Sequence, residues 1–469
     1  MRWPVAVIIA SPEFPLIFVP FLSLYWCLGH AVRSQKLCLL VFGYFIYATA
    51  SITFAIILAL FTCFIWGVSV AVEQARQPLT QNIFFGLGVT GGLSLLAFFK
   101  YFNFFGQQAA TLIQLLGLEW EVPVIDLLMP LGLSFYVFQS ITYLHAVRYQ
   151  SLTVSQPLDL GLYLCFLPTL VAGPICRPSE LLSQISSGFQ RFCNDITSVF
   201  LLILSFVVKK VWIASWLAQS VVDPIFTDPS SYNGLELILA AFAYALQLFF
   251  DFSGYTDLAT AAALLLGYRL PVNFQTPYLA TSLAEFWGRW HISLSRWIRD
   301  YIYIPLGGSR CGTLRNLMNI VLAMALSGLW HGASLKYVIW GLFHGLCLCI
   351  ERLLQRFGIK SIGMLPTFIL VCIGWVFFRS PTLISSIDYF NACLNWKLPF
   401  SPELPHLEVI LVLFISFIVW SRSQQLCLAA SSFLNAMHPL LRPIPIALMC
   451  TLALSLAPDG MPNFIYAQF

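Results

Sequence analysis

The sequence predicts an all-α, polytopic membrane protein, and two properties of its composition support this prediction. Hydrophobic residues make up 59% of the 469 residues, and charged residues make up only 9%. A soluble domain has about a quarter of its residues charged. Many apolar runs approach the roughly 20 residues that a helix needs to cross about 30 Å of hydrocarbon. No soluble domain is visible, so we expect a single transmembrane domain over residues 1–469.

The apolar runs predict a series of spanning or membrane-embedded helices. Several runs are too short to cross alone, so we expect about ten to twelve full crossings, with the shorter helices tilted or re-entrant. The N-terminus, with Arg2 before a run broken by prolines, does not resemble a cleavable signal peptide. The predicted helices cover about 14–32, 36–50, 52–72, 83–105, 127–147, 196–218, 234–250, 256–268, 317–331, 335–351, 364–378, 407–421 and 443–457.

Charge and cysteine usage exclude several classes of protein. The net charge is only +4 and is spread along predicted loops, which favours positive-inside topology over nucleic-acid binding. The 13 cysteines include no C-x-x-C pair, and most lie in apolar runs. They predict buried free thiols rather than disulfides or a zinc site, and we expect no metal centre.

Two neighbouring apolar stretches, 317–331 and 335–351, predict a helical hairpin. Arg315 precedes the first stretch and Arg352 follows the second, so the positive-inside rule places both flanks in the cytoplasm. Helices of about 15 residues rise only about 22 Å. We therefore expect a re-entrant hairpin whose tip, with His331, stays inside the membrane.

His331 is the strongest candidate for chemistry among the histidines. Ionisable residues at membrane depth are usually functional, and a neutral imidazole is a common general base near pH 7. The alternative is a structural histidine bonded to a neighbouring carbonyl group. On a continuous helix, His344 would lie about 220° away from His331, so we interpret His344 as structural.

The stretch 285–301 predicts a second candidate site on an amphipathic helix. At 100° per residue its charged side chains fall within an arc of about 100°, opposite Trp287 and Trp290. His291 lies at the border of the aromatic face. The helix is too charged to cross lipid, so it suits either a protein-lined cavity or a membrane interface where the histidine merely packs.

Two further segments place polar or irregular sequence beside apolar helices. Asp251 and Asp257 follow the apolar run 235–250 and predict a cavity wall or an ion pair. A helix junction capped by Asp251 or Ser253 is an equally good interpretation. The segment 166–177 contains two prolines and a glycine, which predicts a broken or re-entrant segment buried in protein.

Motifs of several soluble enzyme classes are absent. The chain contains no G-x-S-x-G, H-E-x-x-H or Walker sequence, so a serine hydrolase, a metalloprotease or an ATPase has no support. The residues alone predict a membrane protein with a histidine site. A transporter that relays protons through histidines and a scaffold without chemistry of its own stay open as alternatives.

The order of the motifs resembles the membrane-bound O-acyltransferase family. Within that family, the chain is most similar to the membrane component of bacterial alginate O-acetylation. One departure is Gly288, where relatives commonly carry a second basic residue before Arg289. The first 100 residues match mainly in hydropathy. The matching stretches are 131–148, 170–177, 251–257, 273–278, 285–295, 299–308, 327–332 and 340–345, with a weaker match at 375–379.

The resemblance implies a fold and a set of site residues. The implied fold is a helical bundle with re-entrant helices around a central tunnel, with a motif-rich core at about 100–380 between the N-terminal helices of 1–99 and the C-terminal helices of 381–469. His331 corresponds to the catalytic histidine of the family, and His291 to its second polar active-site residue. The side chains expected to contact substrate are Trp287, Trp290, Ser295, Trp330, Asp251 and Asp257.

The resemblance also implies a function and partners. We expect the transfer of an acetyl group from a cytoplasmic thioester, acetyl-coenzyme A, across the membrane for O-acetylation of an extracytoplasmic polysaccharide such as alginate. The expected partners are the acyl donor, membrane lipids and a periplasmic or membrane-tethered SGNH-type acetyltransferase, at the inner membrane of a bacterium. No bound cofactor is expected. Alternative acceptors are peptidoglycan, cellulose and, for D-alanine, teichoic acid.

Overall fold

The structure, a computed structural model, is helical throughout the residues that it describes. All of its regular elements there are helices, so the predicted all-α fold is confirmed. The N-terminal residues on which the signal-peptide expectation depends, and the first residue of the predicted helix 127–147, lie outside the described residues. The described ranges are 14–118, 128–150, 152–193, 195–396, 399–402 and 404–458.

The chain divides into two compact units, residues 1–194 with 262–271, and residues 195–261 with 272–469. The expectation of a single domain stays a prediction. The first unit contains α1 (Phe14–Cys27), α2 (Val32–Ala50), α3 (Ile52–Gln74), α4 (Pro78–Leu115), α5 (Leu133–Tyr149) and α6 (Pro157–Leu164). The second contains α7 (Ile196–Thr227), most of α8 (Gly234–Leu265), α9 (Leu283–Arg289), α10 (Ile292–Ile298), α11 (Thr313–His331), α12 (Leu335–Arg356), α13 (Met364–Arg379), α14 (Leu383–Ala392), α15 (His406–Ser421), α16 (Ser423–Ala436) and α17 (Pro443–Ser455).

The first unit encloses a broken segment between α6 and the helical turn at Pro178–Leu182. Only Leu167–Leu170 is helical within it, and residues 166–176 are buried. A Cβ at Gly132, which has a φ of 70°, would overlap the carbonyl oxygen of Leu170. The backbone at the start of α5 therefore packs directly on this segment, and the predicted broken segment buried in protein is confirmed.

The helices confirm a multi-pass membrane protein with fewer clear spans than predicted. Within the described ranges, six helices are long and apolar enough to cross a membrane, or seven if the bent pair α15–α16 is one span. The prediction of about ten to twelve crossings is not supported, because several apolar helices are short. For example, α1 has 14 residues and α13 has 16.

The predicted hairpin is present as α11 and α12, and both helices are longer than predicted. They have 19 and 22 residues, because the charged flanks continue the helices: Arg315 lies in the first turn of α11, and Arg352 lies within α12. The predicted rise of about 22 Å was therefore wrong. Since α12 alone is long and apolar enough to span, a re-entrant hairpin stays a prediction.

Glycines allow the two helices of the hairpin to cross in close contact. A Cβ at Gly328 would overlap the carbonyl oxygen of Tyr337, and a Cβ at Gly341 would overlap that of Met324. Small residues are typical of helix interfaces in membranes, where association depends on close packing. The crossing fixes the position of His331, at the end of α11, relative to α12.

We predict that Gly341→Ala will separate the two helices of the hairpin. The added methyl group meets backbone atoms that cannot move aside, so overpacking should lower stability by about 1–3 kcal/mol. Thermal unfolding of the purified protein in detergent measures this loss. Gly67→Ala in α3 is the matched control, because its Cβ would meet nothing within 4 Å. Equal unfolding temperatures for the two variants would contradict the proposed crossing.

Candidate active site

His291 lies at a break between two short helices. α9 ends at Arg289 and α10 begins at Ile292, and His291 between them adopts a left-handed conformation with φ 43° and ψ 54°. The predicted continuous helix over 285–301 was therefore wrong at this position. A left-handed backbone disfavours a residue with a Cβ by roughly 1–2 kcal/mol. Among the described residues, Thr276 is the only other non-glycine with a positive φ.

The segment that begins at Asn273 holds this break in place. The carbonyl oxygen of Asn273 accepts a hydrogen bond from the backbone N–H of Ile292 at 2.9 Å, and the N–H of Gln275 donates to the carbonyl of Arg289 at 2.9 Å. The side-chain Oδ1 of Asn273 accepts from the backbone N–H of Ser293 at 3.1 Å. Asn273 thus supplies the cap for α10 that a left-handed His291 does not.

Two carboxylates hold the start of α9. The backbone N–H of Leu283 donates to Oε2 of Glu351, a buried residue of α12, at 2.6 Å. Glu285 accepts hydrogen bonds from the backbone N–H of Thr281 at 2.7 Å and from Arg289 at 2.5 Å. The hydrogen bond from the Thr281 backbone, helped by Arg289, holds the pKa of Glu285 below its usual value. These contacts fix α9, and with it His291, relative to α12.

His331 is enclosed by aromatic rings at the end of α11. It is only 3% exposed. Its ring centroid lies 4.9 Å from that of Trp330, 5.1 Å from that of Trp340 and 5.3 Å from that of Phe378. The last two rings meet the imidazole edge-on, at 89° and 78°. These aromatic rings exclude bulk water and so strengthen electrostatic interactions at the imidazole.

The indole ring of Trp330 lies between the two candidate histidines. The centroid of Trp330 lies 6.1 Å from that of His291 and 4.9 Å from that of His331. Phe252 of α8 also packs on His291, with centroids 4.8 Å apart and ring planes at 90°. The structure therefore brings together the two imidazoles that the sequence singled out, although they come from different helices.

The other aromatic and hydroxyl side chains expected to contact substrate lie around this pair. The ring of Trp287 is 5.6 Å from that of Trp340, and the ring of Trp290 is 5.1 Å from that of Trp375. The Ser295 hydroxyl donates to the carbonyl oxygen of Trp290 at 3.1 Å and so spans the break between α9 and α10. Their roles in substrate binding stay predictions.

The two aspartates form ion pairs with α7. Both lie inside the continuous helix α8, so the helix junction predicted there was wrong, and the ion-pair alternative is the one observed. Asp251 pairs with Lys210, and both are buried. Asp257 accepts from Lys209 at 2.7 Å. A Cβ at Gly254 would lie 3.0 Å from that of Lys210, which shows how closely α7 and α8 approach.

Several residues around the histidines were not predicted as site residues. Phe252, Asn273, Trp340 and Phe378 all lie against one of the two imidazoles. Phe252, Asn273 and Trp340 fall within stretches that carried the family resemblance, and Phe378 falls within the weaker match at 375–379. That placement was the one signal in the sequence that could have marked them, since their contacts depend on distant segments of the chain.

His344 lies closer to the candidate site than predicted. The predicted 220° separation from His331 (about two-thirds of a turn on a continuous helix) was wrong, because the chain turns back between α11 and α12. The rings of His331 and His344 lie 5.1 Å and 5.2 Å from that of Trp340. His344 is fully buried, and a Cβ at Gly374 would overlap its Nε2. A structural role for His344 stays a prediction.

Among the described residues, the cysteines and the other possible metal ligands form no further candidate site. All 13 cysteines are free, and four of them are buried, namely Cys165, Cys176, Cys349 and Cys372. The prediction of buried thiols therefore holds for these four and not for the others. In the part of the chain that the structure describes, no group of three or more His, Cys, Asp or Glu side chains is placed to hold a metal ion.

Sequence comparison assigns the chain to a family. The pattern of MBOAT, the membrane-bound O-acyltransferase family, matches residues 124–380. This range covers more than half of the chain and contains both histidines. The chain belongs to the membrane-bound O-acyltransferase family. The family resemblance predicted from the sequence is thus confirmed, and this MBOAT protein is an O-acyltransferase that requires an acyl donor and a membrane.

Similar proteins are named for three different polymers. This MBOAT protein is 37% identical to "Probable alginate O-acetylase AlgI" of Pseudomonas putida, over 84% of the chain and 82% of that relative. It is 31% identical to the peptidoglycan O-acetyltransferase of Helicobacter pylori, over 82% of the chain and 79% of that relative. It is 26% identical to the teichoic acid D-alanyltransferase of Bacillus subtilis, over 55% of the chain and 70% of that relative.

We predict that breaking the two ion pairs between α7 and α8 of this MBOAT protein lowers its stability by different amounts. Lys210→Met leaves the Asp251 carboxylate buried without its lysine, which should cost about 3–5 kcal/mol. Lys209→Met is the matched control: that pair is 27% and 19% exposed, and its loss should cost at most about 1 kcal/mol. Thermal unfolding in detergent compares the two variants.

A double variant tests the physical reason for this difference. Lys210→Met combined with Asp251→Leu removes the buried charge together with its partner, so it should be more stable than Lys210→Met alone. If the double variant were the less stable of the two, buried charge would not explain the loss.

Proposed function

We propose that this MBOAT protein moves an acetyl group from acetyl-coenzyme A, on the cytoplasmic side, across the membrane for O-acetylation of an extracytoplasmic polysaccharide. Alginate is the first candidate acceptor. The observation that carries the proposal is the buried pair of imidazoles on either side of Trp330. The relative named for alginate O-acetylation, which is similar over most of both chains, supports the choice of substrate class.

His331 acts in this proposal as the general base. The proton of the acceptor hydroxyl passes to the imidazole as the oxygen attacks the thioester carbonyl carbon. A new C–O bond forms and the C–S bond breaks. The imidazolium then returns the proton to the departing thiolate, so that coenzyme A leaves as a thiol. The aromatic rings around His331 exclude water that would hydrolyse the thioester.

His291 assists the same step in one of two ways. It either orients the acyl donor or stabilises the negative charge that develops on the carbonyl oxygen. The remaining predicted side chains, among them Trp287 and Ser295, bind the substrates around this centre.

The polysaccharide lies outside the cytoplasm, so a second acetyltransferase must pass the acetyl group on to it. We place the protein in the inner membrane of a bacterium and assign the last step to a periplasmic or membrane-tethered SGNH-type acetyltransferase. Removing that partner should abolish acetylation of the polysaccharide while this protein remains in the membrane.

Peptidoglycan is the second candidate acceptor. The relative named peptidoglycan O-acetyltransferase is 31% identical over 82% of this chain, nearly the same coverage as the relative named for alginate. Mass spectrometry of both polymers, from cells with and without the protein, separates the two. If cells without the protein lose acetate from peptidoglycan alone, the acceptor is peptidoglycan and not alginate.

We predict that His331→Ala will abolish polysaccharide acetylation without removing the protein from the membrane. The side chain lies at the end of α11, where alanine is compatible with the helix, so the loss should come from the missing base. Acetate per sugar is measured by mass spectrometry, with membrane abundance as the control. Acetylation at the wild-type level would exclude His331 as the base, and transport without release of coenzyme A would indicate a transporter.

We predict that His291→Asn will lower acetylation strongly and leave the fold intact. Asparagine is one of the few residues that tolerate the left-handed conformation, and it keeps a hydrogen-bonding side chain while removing the imidazole. His291→Ala is the comparison, because alanine lacks both properties. Thermal unfolding and acetylation are measured on both variants. Full activity of both would exclude a role for the imidazole.

A further inference from the structure

The orientation of the Asn273 amide is determined by the backbone beside it. The side chain is only 1% exposed, and its Oδ1 lies 3.1 Å from the backbone nitrogen and 2.9 Å from the hydroxyl of Ser293. A backbone N–H can only donate, so the amide atom that faces it must be the oxygen. The flipped amide would place its NH₂ group against the backbone N–H of Ser293, donor against donor.

The same oxygen determines the tautomer of His291. Nδ1 of His291 lies 3.3 Å from Oδ1 of Asn273. An amide oxygen has no hydrogen to give, so Nδ1 must carry it. Burial between Phe252 and Trp330 disfavours the charged imidazole. In the neutral ring, Nε2 then carries a lone pair.

We propose that Asn273 is a positioning residue that holds His291 as the Nδ1–H tautomer, and that His291 serves the acyl-transfer site as a hydrogen-bond acceptor. This inference rests on the proposed function and chooses between its two roles for His291. Stabilising an oxyanion requires a donor at the imidazole, and Nε2 is not a donor in this tautomer. Orienting a substrate N–H or O–H requires an acceptor, which Nε2 is.

Two substrate groups carry a suitable hydrogen. One is the amide N–H of the pantetheine arm, which lies next to the thioester of an acyl-coenzyme A. The other is the acceptor hydroxyl. Either group would be oriented through Nε2 of His291, while His331 takes the proton during the reaction.

The tautomer itself is measured first, with no substrate present. ¹⁵N NMR spectra of the full-length protein in detergent, labelled at histidine, are compared with those of His291→Asn to assign the His291 signals. We expect a protonated Nδ1 and an unprotonated Nε2. A protonated Nε2 with a bare Nδ1 in the wild-type protein would overturn the proposal.

Variants at the contact connect the tautomer to Asn273. Asn273→Asp keeps an oxygen against Nδ1, so the Nδ1–H signal should remain. Asn273→Leu removes that oxygen, and the Nε2–H tautomer should become populated. Ser293→Ala is the matched control, because it removes one hydroxyl contact to Oδ1 and leaves the contact to His291 intact. An unchanged spectrum in folded Asn273→Leu would show that Asn273 does not set the tautomer.

Two acyl donors then identify the hydrogen-bond partner. Acetyl transfer is compared for S-acetyl-N-acetylcysteamine, which has the amide N–H, and for its analogue with an ester oxygen in that place. A roughly 3- to 10-fold preference for the amide, the equivalent of one hydrogen bond, that is lost in Asn273→Leu would assign the pantetheine arm. An equal loss of rate with both donors in Asn273→Leu would assign the acceptor hydroxyl.

The acyltransferase function and the roles of Asn273 and His291 are distinguished by different results. If no variant and not even the wild-type protein transfers acetate, the proposed function is overturned, while an Nδ1–H spectrum would still support the positioning role of Asn273. If transfer proceeds at the wild-type rate in Asn273→Leu with either donor, the acceptor role of His291 is overturned and the acyltransferase function stands.

Discussion

The candidate site depends on how a broken helix satisfies its backbone polar groups where water is scarce. In a membrane protein, irregular backbone is tolerated only where protein groups pair with it. At the break between α9 and α10, Asn273 pairs through its carbonyl and its side chain with the start of α10. Glu351 pairs with the start of α9. These contacts hold His291 in a conformation that an isolated helix would not adopt.

His331 reaches the same place by a different constraint. Its position follows from the crossing of α11 and α12, where glycines allow the two backbones to touch. Glu351 belongs to α12 as well, so one helix sets the position of both histidines. Trp330 then fills the space between the imidazoles. The contacts of α12 therefore bring both imidazoles to the same indole ring, which explains why residues remote in sequence share an aromatic enclosure.

The sequence singled out the pair of candidate histidines but did not predict the contacts that hold them together. Both histidines and the hairpin were visible because ionisable residues and helix breakers stand out in apolar sequence. The break at His291 was not, because its cause is Asn273, which lies in a separate segment. The continuity of α8 was missed for the same reason: Asp251 suggested a helix end, and the lysine that accommodates it within a helix comes from α7. Helix counting failed where apolar helices were short.

The ion pair and the candidate site are connected through α8. Asp251, which pairs with Lys210, is followed directly by Phe252, which packs edge-on against His291. Neighbouring residues on a helix point about 100° apart, so α8 presents its carboxylate to α7 and its ring to the histidine. Fixing the first contact fixes the rotation of α8 about its axis, and so determines which ring meets the imidazole. A buried ion pair that adds little net stability can in this way help to specify the geometry around His291.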